Sequence, residues 1–148
     1  MKKILFMILS VCALFTACKI DEPDKDLKRL VFDPGDLKFI STSLNTKKET
    51  SSALYGNREA LISLSGENNQ LQNGSVIKLV TWKYHDNPQY IGGTITGELL
   101  SIETIQTDHN GNVSYQIKNA SENQNININK NKEERIQYIM SYKPVKRP

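Results

Sequence analysis

Hydrophobic positions divide the chain into an apolar leader, a polar connector and an alternating body. The leader runs from Ile4 through Phe15, follows Lys2 and Lys3, and ends in small residues before Cys18. It is too short to cross a bilayer as an ordinary helix and reads as a secretory signal. Charged and polar residues then dominate until Leu30, Val31 and Phe32, and Asp33-Pro34-Gly35-Asp36 supplies turn chemistry, with Pro fixing φ and Gly accepting φ > 0. Leu37 to Ser43 is a first strand. Within Thr50 to Gly66 the pattern predicts a short helix: Asn57 is its N-cap, Glu59 lies in its first turn, Ala60, Leu61 and Leu64 share a face, and Gly66 ends it.

After a loop over Asn68 to Gly74, the segment Ser75 to Tyr84 is dense in β-branched and aromatic residues, with apolar groups on both faces, so a central strand is expected. Asp86-Asn87-Pro88 breaks it, and Tyr90 to Thr96 continues in extended form around Gly92-Gly93. Leu99 to Thr107, the turn Asp108-His109-Asn110-Gly111 and the alternating Asn112 to Lys118 make a hairpin. Asn119 to Lys132 turns to Asn, Lys and Gln, a loop or weak edge. Lys132 to Tyr142 places Ile136, Ile139 and Met140 three and four apart, with Glu133 and Glu134 in its first turn, and is expected to be helical. Strands joined by short turns, with two helices outside them, predict an α+β domain: an antiparallel β-sheet with one or two short helices packed on it.

Charge narrows the range of functions. The 148 residues hold 19 basic and 16 acidic side chains, and removal of a signal carrying Lys2 and Lys3 leaves 17 basic against 16 acidic. A net charge so near zero argues against a nucleic-acid partner held by bulk electrostatics. A remainder of this size buries about two-thirds of the surface that its unfolded chain exposes, so it folds without disulfides or metals. The expected organisation is a signal peptide over 1–17, a stalk over 18–36 and a single α+β domain over 37–148.

Leu14-Phe15-Thr16-Ala17-Cys18 resembles the lipobox of bacterial lipoproteins, with Phe15 in a slot that usually holds Leu or a smaller aliphatic residue. The resemblance implies that Cys18 is acylated and becomes the first residue of the mature chain. Cys12 lies inside the signal, so no cysteine would remain for a disulfide. A diacylglyceryl group together with an amide-linked acyl chain would make the anchor effectively permanent. Lys19 stands where an Asp would resemble an inner-membrane retention signal, so an outer-membrane lipoprotein is expected, on its periplasmic or cell-surface face. The tract Asp21, Glu22, Asp24, Asp26 resembles surface-export signals and serves equally as a solvated tether.

Catalytic motifs are missing from the sequence. It holds no Gly-x-Ser-x-Gly elbow, no Walker loop and no Cys-x-x-Cys-His. His85-Asp86 and Asp108-His109 would need to meet in space to hold a metal, and both sit in expected turns. Asp108, Asn110, Asn112 and Ser114 alternate as in a calcium loop, but the glycine is misplaced and the closing Glu is replaced by Asn119. No metal and no cofactor is therefore expected. The distinctive side chains are Trp82, Tyr84, His85 and Tyr90, which line a core or a pocket for a flat ligand, with Gly92-Gly93 allowing close approach to the backbone.

One further likeness lies in Leu54-Tyr55-Gly56-Asn57, Ala60, Asn73-Gly74-Ser75-Val76-Ile77, Thr81-Trp82-Lys83 and Ser101-Ile102-Glu103. Over residues 50–118 this pattern resembles cytochrome P-460, a family of periplasmic α+β proteins with a c-type haem cross-linked to a lysine. The resemblance implies the scaffold and the compartment. The cysteine motif of the haem is absent, and neither Lys78 nor Lys83 is assigned the cross-link. The expected function is that of a non-enzymatic, lipid-anchored envelope protein that binds a ligand or a protein partner. An alternative is a redox protein holding a tetrapyrrole non-covalently through His85 or His109. A third is an assembly lipoprotein recognised through a sheet edge near Asn123 to Asn129.

Overall fold

A computed structural model describes residues 32–66, 70–87, 89–120 and 132–145. The signal, Cys18, most of the expected stalk and the edge near Asn123 to Asn129 lie outside the described residues. The architecture is the expected α+β one. Strands β1 (Lys38–Asn45), β2 (Thr50–Gly56), β3 (Val76–Asp86), β4 (Thr94–Thr107) and β5 (Val113–Asn119) form one antiparallel sheet in sequential order. Helix α1 (Arg58–Ser65) joins β2 to β3, and α2 (Lys132–Met140) follows β5 in the chain.

One face of the sheet carries the main core. Leu54, Ile77, Leu79 and Ile105 project from it against Ala60 and Leu64 of α1, Ile139 and Met140 of α2, and Ile40 and Tyr142. The corner between β2 and α1 shows why the chain folds there. A Cβ on Gly56 would stand 2.7 Å from Ala60 Cβ and 2.8 Å from Ile40 Cδ1, so only glycine fits. Asn57 Oδ1 accepts from Ala60 N–H, capping α1, and also from Val76 N–H, while its Nδ2 donates to Gly74 O at 2.7 Å. One side chain thus fixes the helix start and the entry of β3.

The same face holds an ion pair between Glu103 and Arg135. Glu103, in the middle of β4, is 2% exposed and faces Arg135 of α2, whose Nη2 and Nε donate to its two carboxylate oxygens at 2.6 and 3.0 Å. Tyr115 O–H of β5 adds a third donor. This buried carboxylate is fully used in seating α2 on the sheet.

The structure extends the expected elements in two places. Strand β2 occupies Thr50–Gly56, where Ser-Ser-Ala gives little strand propensity, and it pairs with both β1 and β3. Strand β4 begins at Thr94 rather than Leu99. Tyr90 to Gly93, expected to be extended, forms the turn that starts it: Gly93 N–H bonds to Tyr90 O, and Gly92 has φ 81°.

Candidate functional site

Strands β1, β2 and β3 carry a second, aromatic surface on the face away from the core. Register places Ala53 beside Val80, Tyr55 beside Lys78 and Phe39 beside Tyr55. β3 keeps its two-residue alternation from Lys78 to Tyr84, because both irregularities of the β3–β4 pairing are extra residues on β4. Lys78, Val80, Trp82 and Tyr84 therefore share this face.

The expected stalk contributes to it. Phe32 sits with its ring centroid 5.2 Å from Tyr55 and 6.5 Å, edge-on, from Trp82, and Lys78 Nζ lies 6.0 Å from the Phe32 centroid. Phe39 packs edge-on against Tyr55 at 6.0 Å and is 42% exposed. Beneath these rings Val80 and Ala53 are buried outside the main core. The result is a half-exposed aromatic shelf with the Lys78 ammonium beside Phe32. It offers an apolar surface of tilted and edge-on rings and a positive charge, the complement of an apolar ligand with an anionic group.

Of the four expected site residues, Trp82 and Tyr84 come together on this face, Trp82 half-buried and Tyr84 buried. His85 points to the other face of β3, where its ring fits against the backbone of Gly97: a Cβ there would stand 2.9 Å from His85 Nε2. That nitrogen is buried without a hydrogen-bond partner. Tyr90 stands apart at the tip of the β3–β4 hairpin, 69% exposed.

The histidines do not meet. His85 pairs with Ile95 near the start of β4, and His109 follows Thr107 at its end; the strand between them spans about 40 Å. Among the described residues no group of three or more His, Cys, Asp or Glu could hold a metal ion. Asp108 is consumed by its own turn, accepting from Asn110 N–H, Asn112 N–H and Asn112 Nδ2 at 2.8 Å each. Those donors hold its carboxyl below the usual carboxylate range, the Asn112 side chain most of all. Beside this turn lies an open groove of about 490 Å³ edged by Gly74, Gln106, His109, Asn112 and Ser114.

The two histidines offered as tetrapyrrole ligands are placed far apart and in different surroundings. One imidazole is closed off by Gly97, and the other lies in an exposed turn far along β4. The residues that carry the likeness to cytochrome P-460 have local work: Gly56, Asn57, Ala60, Gly74 and Val76 build the β2–α1–β3 corner. Sequence reasoning missed Phe32, Phe39 and Lys78. The available signal was the apolar trio Leu30-Val31-Phe32 directly before a Pro-Gly turn, a hydrophobic segment that a solvated stalk does not need.

No protein-family model matches the chain, and no curated protein matches it.

Proposed function

We propose that the chain is a lipid-anchored envelope protein of the outer membrane, tethered through Cys18, whose domain binds a ligand or partner without catalysing a reaction. The observation that supports binding is the shelf of Phe32, Phe39, Tyr55 and Trp82 with Lys78 beside Phe32. Both helices lie on the opposite face, and the titratable groups with shifted ionisation among the described residues belong to structural contacts. The lipobox likeness and the absence of any further cysteine in the mature chain support the anchor.

Two measurements test this reading. Metabolic labelling with palmitate marks the wild-type chain and not Cys18→Ser; label retained by the variant would overturn the anchor. For the shelf, the probe is anilinonaphthalene sulfonate, which is apolar and anionic. Saturable binding is expected to the mature polypeptide, weakened about tenfold by Trp82→Ala, as expected for loss of a central aromatic contact, and unchanged by Leu61→Ala on the helix side.

The tetrapyrrole reading keeps one observation in its favour, the unpartnered Nε2 of His85. Haemin separates the two. Axial ligation gives a Soret shift that is lost in His85→Ala, whereas binding on the shelf is insensitive to both histidines and is lost in Trp82→Ala.

A further inference from the structure

The β3–β4 hairpin outgrows the sheet that carries it. β2 ends its pairing with β3 at Thr50 and Lys83, and β5 pairs with β4 only from Ser101 onward. Beyond those points Tyr84, whose N–H still reaches Glu49 O, His85 and Asp86 pair with Thr96, Ile95 and Thr94, forming a two-stranded arm of roughly 10 Å from Tyr84 to Asn87 that the Asn87–Gly93 turn closes. Two-stranded arms are marginal in water, and this one carries apolar groups outward: Ile91 is fully exposed, Tyr90 69% and Ile95 41% exposed. Asn87 through Gly97 contains no Asp, Glu, Lys, Arg or His, in a chain that is 24% charged.

We infer that the arm tip, through Tyr90, Ile91 and Ile95, rests in the headgroup–acyl boundary of the bilayer to which the chain is anchored. This rests on the Cys18 anchor proposed above. Three observations favour a bilayer over a protein partner. The three side chains together present roughly 400 Å², about half of what each partner gives to a standard protein interface. A bilayer needs no shape complementarity, and an uncharged tip with an amphipathic Tyr beside an Ile suits the interface.

The third observation is where the chain enters the domain. From Lys38 back to Phe32 it crosses the aromatic face toward the arm, and Phe32 lies against Trp82, two residues before the arm begins. Fourteen positions separate Phe32 from Cys18, a reach of at most about 50 Å. That exceeds the length of the arm, so anchor and tip can occupy the same bilayer.

The test uses the acylated mature chain in vesicles of phosphatidylethanolamine and phosphatidylglycerol, with an environment-sensitive nitrobenzoxadiazole probe on Ile91→Cys or, at the start of β5 beside the far end of β4, Val113→Cys. Both proteins are expected to float with the vesicles. The probe at position 91 should brighten about threefold on entering the boundary and be quenched by spin-labelled acyl chains, while the probe at 113 should not respond. Equal, unquenched signals at both positions in floating protein would overturn the arm's role and leave the anchor standing. Brightening at 91 without lipid quenching would assign the tip to a protein contact and likewise overturn the inference. Failure of the wild-type chain to float would overturn the anchor itself, and the arm's role with it.

Discussion

The two faces of the sheet are built from different side chains for different ends. The helix side is aliphatic and closed, with Leu54, Ile77, Leu64 and Ile105 excluded from solvent and the Glu103 carboxylate held by three donors. The other side is aromatic and half-open, with Phe39 and Trp82 left accessible and Lys78 beside Phe32. Aliphatic burial by itself accounts for the first. A face whose only purpose was solvation would carry polar groups, as this same face does further along at Gln106, Ser114 and Gln116. The contrast between its aromatic and polar halves is the reason to read a binding surface there.

Substitutions on the closed face are expected to cost the most stability. Leu54→Ala or Ile77→Ala is expected to lower the stability by about 2–5 kcal/mol, measured as a shifted urea midpoint with little change in slope. Glu103→Ala leaves Arg135 facing an empty site and is expected to cost about 2–3 kcal/mol, below the usual range for a broken buried pair because the arginine is partly solvated. Combining it with Arg135→Met should recover most of the loss, which a double-mutant cycle measures. Asn57→Ala removes the helix cap and the bridge to Val76 together, at about 1–2 kcal/mol by the same denaturation assay.

Trp82→Ala is the sharper test of the division between the faces. It should cost less stability than Leu54→Ala while removing probe binding, and the reverse order would erase the distinction between a folding face and a binding face. The smallest effect is that of alkaline pH. Burial pushes the Tyr142 hydroxyl up to about 12, and burial with the Glu103 hydrogen bond raises Tyr115 as well. A raised folded-state value means the stability is intact below the ordinary tyrosine value near 10 and declines as pH rises from there toward 12, where the unfolded chain ionises and the folded one resists. Tyr142→Phe should flatten that decline in a pH series of thermal melts.

Much of this fold could be read from the sequence where local chemistry and tertiary demand agree. The Asn57 cap, the Asp108 turn, the central strand and the second helix each carry a periodic or capping signal that the structure uses. Strand β2 escaped because Thr-Ser-Ser-Ala has weak strand character and owes its conformation to neighbours on both sides. The arm escaped because Gly92, Gly93 and Gly97 conceal a strand whose partner is fixed only by the preceding turn. For the candidate site, Trp82 and Tyr84 were legible as a pair. Phe32 was not, since its contacts lie 23 and 50 positions away, across a segment whose charges and turn residues read as solvated.

The measurement that bears most directly on the account is a residue-resolved NMR titration of the isotope-labelled mature polypeptide with anilinonaphthalene sulfonate. The single tryptophan gives one indole resonance, and Phe39 and Leu61, 42% and 40% exposed on opposite faces, serve as matched reporters. Saturable shifts are expected at the Trp82 indole and at the Phe39, Tyr55 and Lys78 amides, with Leu61 unmoved. Shifts centred on α1 and α2, or no saturable shift at Trp82, would contradict it.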